Sequence, residues 1–452
     1  MSLHTASASA TPGKLKPSPV RKLTTLTLVA ATFFMVSGGP FGLEELIGNA
    51  GYLLSLVIIL GLPVVWSLPT ALMVSELSAA IPVDGGYYVW VTRALGPFWG
   101  FQEAWLSLAS SVFDMALYPT VFVLYASQVF PALGSPRNGF IAGTILVLFC
   151  TLLNLGGVRK VGVSAVLMTI TLLGPFLAMA LIVFAHPTRW HPLPHAHEGA
   201  LLTAVLVAMW NFMGWDNAST VAAEVENPQR TYLRAMLLTS ALIAVVYMVP
   251  VAACWAAGID SSSWSTGSWA AVAMHIGGRR LFLGVVLGGM LFGVGTFNSL
   301  HMSYTRVPLA MAEDGWLPKS FKQLNRFGVP WVSVIACAVA WVAALSLGFV
   351  KLVELDIAIY GLSLVLEFAA LIALRIKEPD LPRRFRVPGG LPGAILIALG
   401  PTVLIGLAVF DSLHQHIDYL GFTFNNLALS SVVVAMGLLQ YCVIARRPKA
   451  RT

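Results

Sequence analysis

Charge is what this chain most lacks: 10% of its 452 residues are Asp, Glu, Lys or Arg, where a soluble globular chain carries about 25%. With 57% hydrophobic residues and a mean hydropathy of +0.80, that deficit excludes a soluble fold and indicates a chain spent on membrane crossings. Cysteine is scarce as well. Cys150, Cys254, Cys337 and Cys442 lie singly within apolar runs, which excludes a disulfide framework or a metal-ligand spacing and leaves buried free thiols. The sequence has no zinc-protease helix, nucleophile elbow or phosphate loop, so an enzyme is not expected. The net charge of +7 would suit nucleic acid, but the basic residues sit in short loops between apolar runs. Membrane topology explains that placement, and the bilayer rather than nucleic acid is the expected partner.

What is present is a series of twelve apolar runs: 23–50, 52–80, 97–130, 139–156, 161–185, 200–222, 233–257, 281–311, 331–349, 353–375, 391–411 and 425–445. The first is too long for a signal-peptide core and has no small-residue cleavage site after it, so it is expected to remain as a span. With the tail 1–22 placed in the cytoplasm, 22 of the 27 Lys and Arg residues fall on the inside. This bias predicts a multi-pass protein of the plasma or inner membrane with both termini, 1–22 and 446–452, cytoplasmic.

Two runs are interrupted. In the first, Ser37-Gly38-Gly39-Pro40-Phe41-Gly42 is followed by Glu44 and Glu45; in the sixth, Trp210-Asn211-Phe212-Met213-Gly214-Trp215-Asp216-Asn217 breaks the apolar pattern. Glycine and proline destabilise a helix interior, and in lipid the freed backbone must be covered by protein or line a cavity. Acids at membrane depth mark a pathway or a partner. Interrupted spans five apart, entering from opposite sides, predict an all-α membrane protein of twelve transmembrane helices built on a five-plus-five inverted repeat. Its repeats would be 23–190 and 191–376, followed by two further spans over 377–445, with a substrate site where the broken first and sixth helices meet.

The stretch Ser37 to Glu45 resembles the first helix of amino acid–polyamine–organocation transporters. The likeness continues through Pro82-Val83-Asp84-Gly85-Gly86-Tyr87-Tyr88-Val89-Trp90, Leu95-Gly96-Pro97-Phe98-Trp99-Gly100, Asp114-Met115-Ala116-Leu117-Tyr118-Pro119, Ala223-Glu224-Val225-Glu226-Asn227-Pro228 and Ala312-Glu313-Asp314-Gly315-Trp316. Within that superfamily it is most similar to polyamine uptake transporters of the branch allied to L-type amino acid transporters. The resemblance implies a leucine-transporter-like fold, alternating access and a small-molecule substrate, a polyamine or else a cationic or neutral amino acid.

Relatives that carry amino acids hold the substrate carboxylate on free amides at the first break. Here Pro40 removes one donor and Glu44 and Glu45 add negative charge about 6 Å along the axis, which favours a cation. The candidate substrate-binding residues are Ser37, Gly38, Gly39, Glu44, Glu45, Asp114, Tyr118, Trp210, Phe212, Trp215, Asp216, Tyr360 and Glu367. Asp114 and Tyr118 share a helix face at i,i+4, and Glu367 lies on the face of Tyr360. Aromatics could bind ammonium groups by cation–π attraction. Against this stand blander readings: solvated vestibule positions for the glutamates, structural hydrogen bonds for the aspartates and packing for the rings.

Glu76, Glu103, Glu224 and Glu226 are expected near cytoplasmic helix ends, either pairing with Arg93, Arg230 or Arg234 in an inner gate or simply capping helices, the structural role being preferred. His301 is a candidate for coupling, or a core histidine. No cofactor is expected. Some proton-coupled relatives carry a lysine midway along the fifth span; Val161 to Ala185 has none. A carboxylate in a dry cavity would then carry the proton, with sodium on Ser299, Ser303 and first-break carbonyls as the alternative. The four-histidine loop His186 to Glu198 reads as a solvated proline-rich loop.

Overall fold

The computed structural model describes residues 23–83, 85–157, 162–185, 201–414, 416–419 and 422–445, excepting the side chains of 162–169, 221–224, 229, 417–419, 422–424 and 445. Both chain tails, Asp84, Arg159, Lys160, the histidine loop and the side chain of Glu224 lie outside that set.

The first apolar run is two helices. Helix α1 (Thr25–Val36) stops at Ser37, and α2 (Glu44–Leu62) begins after a non-helical Ser37–Leu43. The break follows from Gly38, Gly39 and Gly42, whose φ values of +63°, +123° and +97° lie in the region that favours glycine. Side chains could not replace them. A Cβ on Gly38 would lie 2.7 Å from Phe292, and one on Gly39 would lie 2.5 Å from Leu172. A further glycine, Gly51 at φ +67°, turns the chain where the first run passes into the second. A π-helical turn, Pro63–Ser67, then leads into α3 (Leu68–Ala80).

The chain continues through α4 (Gly86–Leu95), α5 (Pro97–Ser127), α6 (Pro136–Leu155) and α7 (Gly162–Phe184). Helix α8 (Leu201–Asn211) ends at the second interruption, and the chain resumes as a 3-10 helix, Asp216–Glu224. Next come α9 (Pro228–Ala256), α10 (Ser268–Tyr304, kinked at Gly278), α11 (Arg306–Glu313), α12 (Trp331–Ala344), α13 (Phe349–Lys377) and α14 (Gly390–Asp411). A hairpin of β1 (His416–Tyr419) on β2 (Phe422–Asn425) then precedes α15 (Asn426–Ala445). The all-α expectation did not include this hairpin, whose antiparallel backbone pairing closes the connection between two apolar helices.

Among the described residues, 8 stretches are long and apolar enough to cross a bilayer, with α1, 170–184 of α7 and α12 as shorter apolar helices. Their burial separates centre from rim. About two thirds of the apolar stretch is buried in α5 and in α13 (67% each), against 28% in α14 and 11% in α15, whose outer faces are left to lipid. Helix α5 packs on α10 and α13, α13 packs on α4, and α8 packs on α2. The two interruptions therefore meet beside the α5–α13 core.

Candidate functional site

Ends of helices inside lipid leave carbonyls and amides without partners, and these must be met by protein. At the second break Tyr247 donates from its hydroxyl to the Asn211 carbonyl at 2.8 Å. The indoles of Trp66 and Trp215 donate to the Phe212 carbonyl at 3.1 and 2.8 Å. At the first break the Trp269 indole donates to the Pro40 carbonyl at 3.0 Å, and Asn211 Nδ2 reaches the Gly42 carbonyl at 3.4 Å, linking the two breaks. The amides are engaged too: Gly38 N–H donates to Phe33 O at 2.9 Å and Gly39 N–H to Ser37 Oγ at 3.1 Å.

Between the breaks and the α5, α10 and α13 faces lies a small cavity, lined among others by Ser37, Asp114, Tyr118, Trp210, Tyr304 and Tyr360. Asp114 is its polar centre. Tyr118, one turn on, donates to Oδ1 at 2.8 Å; Trp210, the penultimate residue of α8, donates to the same oxygen at 3.3 Å; and Tyr304 at the end of α10 donates to Oδ2 at 3.0 Å. Asp216, first residue of the 3-10 helix, accepts from Tyr360 at 2.5 Å. These donors are neutral. They orient the carboxylates without supplying a counter-charge.

A third acid completes the group. Asp356 is fully buried, neither of its oxygens has a hydrogen-bond partner, and it lies within electrostatic reach of Asp114 and Asp216. Sequence reasoning passed over it and over Tyr304. The signal for Asp356 was available: it stands one turn before Tyr360 and three turns before Glu367, on one stripe of α13. Tyr304 had no such signal, because its partner lies 190 residues away.

The other expected site residues fall elsewhere. Gly38 and Gly39 shape the break. Phe212 and Trp215 are fully buried and serve it through the carbonyl contacts above, and Phe212 packs on Tyr247 with ring centroids 5.1 Å apart. Glu367 is buried in α13 outside the cavity lining. Glu44 and Glu45 do not line the cavity either, because the start of α2 and the loop before α10 take their oxygens. Glu44 accepts from Gly42 N–H at 2.6 Å, from Gly267 N–H at 3.1 Å and from the Tyr125 hydroxyl. Glu45 accepts from Thr266 N–H and Oγ1 at 2.9 and 3.1 Å. The pair latches segment 266–267 onto the first break. Glu44→Ala leaves three donors without acceptors, each worth about 1–3 kcal/mol if it stays buried. Its apparent Tm in detergent is therefore expected to fall by several degrees, and by more than that of Glu45→Ala.

The gate expectations need correction. Glu76 pairs with none of Arg93, Arg230 or Arg234; it accepts from Arg375 Nε at 3.0 Å, lies 3.3 Å from Arg383 Nε and takes the Val387 N–H at 2.7 Å. It pins the last turn of α13, through Arg375, and the chain that follows it, through Arg383 and Val387. Arg93 instead donates to Glu378 from Nε and Nη2 at 2.9 and 2.6 Å, and holds that exposed carboxyl below its ordinary range. Whatever small stability this surface pair contributes is present above the ordinary glutamate value and is lost as pH falls through the lowered one. His301 is packed between Phe297 and Trp341, with no hydrogen-bond partner at either ring nitrogen. Of the expected sodium ligands, Ser303 Oγ is engaged with Asn217 Oδ1 at 3.0 Å and Thr220 Oγ1 at 3.2 Å.

A bundle of apolar helices, with two apolar runs interrupted beside a central cavity that Asp114 lines, is a multi-pass membrane protein built to admit a small molecule to its core. More narrowly, the chain belongs to the amino acid permease family, whose profile matches residues 26–436, within the amino acid–polyamine–organocation superfamily. It is 36% identical to polyamine transporter RMV1 of Arabidopsis thaliana over 392 residues, 86% of this chain and 80% of that protein. It is 36% identical to polyamine transporter PUT1 of Oryza sativa subsp. japonica over 429 residues, 94% of this chain and 78% of that one. Similarity to branched-chain amino acid permease BcaP of Bacillus subtilis is lower, 27% over 361 residues, 73% and 76% of the two chains.

Proposed function

We propose that this protein imports linear polyamines, such as putrescine and spermidine, across the plasma or inner membrane by alternating access. The observation that carries the reading is Asp114 at the cavity with Asp216 and Asp356 buried within its electrostatic reach: among the described residues, no basic side chain is a hydrogen-bond or ion-pair partner of these three carboxylates. A buried anion without a counter-cation is costly, and a substrate bearing several ammonium groups would relieve that cost while its methylenes packed on Tyr118, Trp210 and Tyr360. The amides at the first break favour the same answer over an amino acid, since those of Gly38, Gly39 and Gly42 already donate within the protein. The names of the plant relatives agree.

In this reading twelve spans form a five-plus-five inverted repeat, with α1 and the start of α2 as the broken first span and α8 with its 3-10 continuation as the broken sixth. The termini are cytoplasmic, and protons or the membrane potential drive uptake, the potential supplying about 2.3 kcal/mol per charge per 100 mV. The test is uptake of radiolabelled putrescine, spermidine, arginine and leucine into proteoliposomes, with pH gradient and potential imposed separately. Saturable amine uptake with little arginine or leucine transport is expected. Accumulation of amino acids alone would replace this reading with an amino acid permease.

A further inference from the structure

Glu103 and Glu367 are acids that neither the cavity nor the ion pairs account for. Both are fully buried, on α5 and α13, which pack along each other and against α4. Neither oxygen of Glu367 has a hydrogen-bond partner; Glu103 has the Ser107 hydroxyl at 3.4 Å on Oε1 and nothing on Oε2. The two lie within electrostatic reach of each other and of Asp216. A further buried polar group lies beside them: the Tyr87 hydroxyl of α4, fully buried next to Ser107, is in electrostatic reach of Glu103, Glu367 and Asp216.

Basic groups at the ends of these elements are committed elsewhere, while Asp356 of α13 is itself without a hydrogen-bond partner. Arg93 at the end of α4 holds Glu378, Arg375 of α13 holds Glu76 of α3, and Lys377 donates to the Ala94 carbonyl at 2.7 Å. Tyr360 holds Asp216, Tyr304 of α10 holds Asp114, His301 of α10 stacks on Trp341, and Tyr441 of α15 packs on Phe101. Two carboxylates enclosed in this way cannot both be ionised, because each unpaired buried charge costs several kcal/mol even after relaxation. One proton between them removes half the charge and supplies the donor that the bare oxygens lack. Neither glutamate lines the substrate cavity, so a proton rather than the ammonium group of the substrate is the ion that suits them.

We propose that Glu103 and Glu367 form a proton-binding pair on the cytoplasmic side of the substrate cavity, holding one proton that reaches them by way of Asp216. The proposal rests on the reading of the protein as an amine importer and adds the place of its coupling ion. Glu367 lies about 10 Å along α13 from Tyr360, and Glu103 about 16 Å along α5 from Asp114, so the pair is separate from the substrate anchor yet linked to it through Asp216. The proton comes from the outer solution, forms an O–H bond with one carboxylate, and is given up to the cytoplasmic solution when the α4–α5–α13 cleft opens.

The test uses the purified full chain in proteoliposomes, with labelled putrescine outside and a proton-sensitive dye inside. An inward pH gradient is expected to raise wild-type uptake at least tenfold with acidification of the lumen, and to raise it less than twofold in Glu103→Gln or Glu367→Gln. The double variant should lose no more than either single one, because one proton is shared. Glu367→Asp, which keeps the carboxyl, should retain part of the gradient dependence. Infrared spectroscopy of the substrate-free protein should show a carboxylic-acid carbonyl band that titrates with bulk pH, is absent from both glutamine variants and persists in Asp114→Asn. Variants that keep the gradient dependence, additive losses in the double variant, or a band that survives both substitutions would overturn the pair. A wild-type chain that moves no putrescine yet loses the band with either substitution would overturn the polyamine reading and leave the pair standing.

Discussion

Asp114→Asn is expected to lower kcat/KM for putrescine uptake by about two orders of magnitude, or about 2.8 kcal/mol at about 1.4 kcal/mol per tenfold. The size follows from the surroundings of the carboxylate. It is buried, takes hydrogen bonds from Tyr118, Trp210 and Tyr304, and faces the cavity without a resident cation. Removing one member of a buried, hydrogen-bonded charge pair costs about 2–5 kcal/mol, and here the other member would be the substrate ammonium. The substitution also removes a buried charge from the empty protein, so the apparent Tm without ligand should hold or rise. The upward shift that saturating putrescine gives the wild type by mass action should vanish. Tyr118→Phe and Tyr304→Phe each remove one of three donors and should cost less than tenfold. Uptake by Asp114→Asn at near wild-type efficiency would show that the ammonium sits elsewhere, with Asp216 and Asp356 the groups to vary next.

Glu76→Ala should have the largest effect on stability. Arg375 and Arg383 are only 8% and 2% exposed, and both answer to this one carboxylate, which also takes the Val387 N–H. Breaking a buried pair by removing one partner costs about 3–5 kcal/mol, because the remaining charge is left uncompensated, and here two guanidinium groups are stranded. The expected result is loss of folded protein from the membrane fraction, or a large fall in apparent Tm where enough survives to be measured at a fixed heating rate. Glu76→Gln keeps the shape and an acceptor oxygen and should fall between. Equal Tm for Glu76→Ala and wild type would mean that the arginines find other anions or water once the glutamate is gone.

The expectations that held were those resting on local composition. Gly38, Gly39 and Gly42 announced the first break because their missing Cβ atoms are what the backbone there requires, and Asn211 with Gly214 marked the second. The i,i+4 spacing predicted that Asp114 and Tyr118 would meet, since the geometry of a single helix is enough to decide it. The expectations that failed concerned which distant group answers a charge. Glu44 looked as close to a substrate as Asp114 did, yet its oxygens go to Gly42, Gly267 and Tyr125. Glu76 had several basic candidates, and its partner Arg375 lies 299 residues away.

By itself the sequence determined that this chain lives in a membrane, where its helices must break, and that acids lie at the depth of those breaks. Each is a property of a short window, set by hydropathy, backbone freedom and the cost of charge in lipid. Only the tertiary structure decided which of those acids lie at the central cavity: Asp114 does, while Glu44 and Glu45 are turned to the segment before α10. That division depends on how α5, α8, α10 and α13 pack around one cavity, which no short window of sequence specifies.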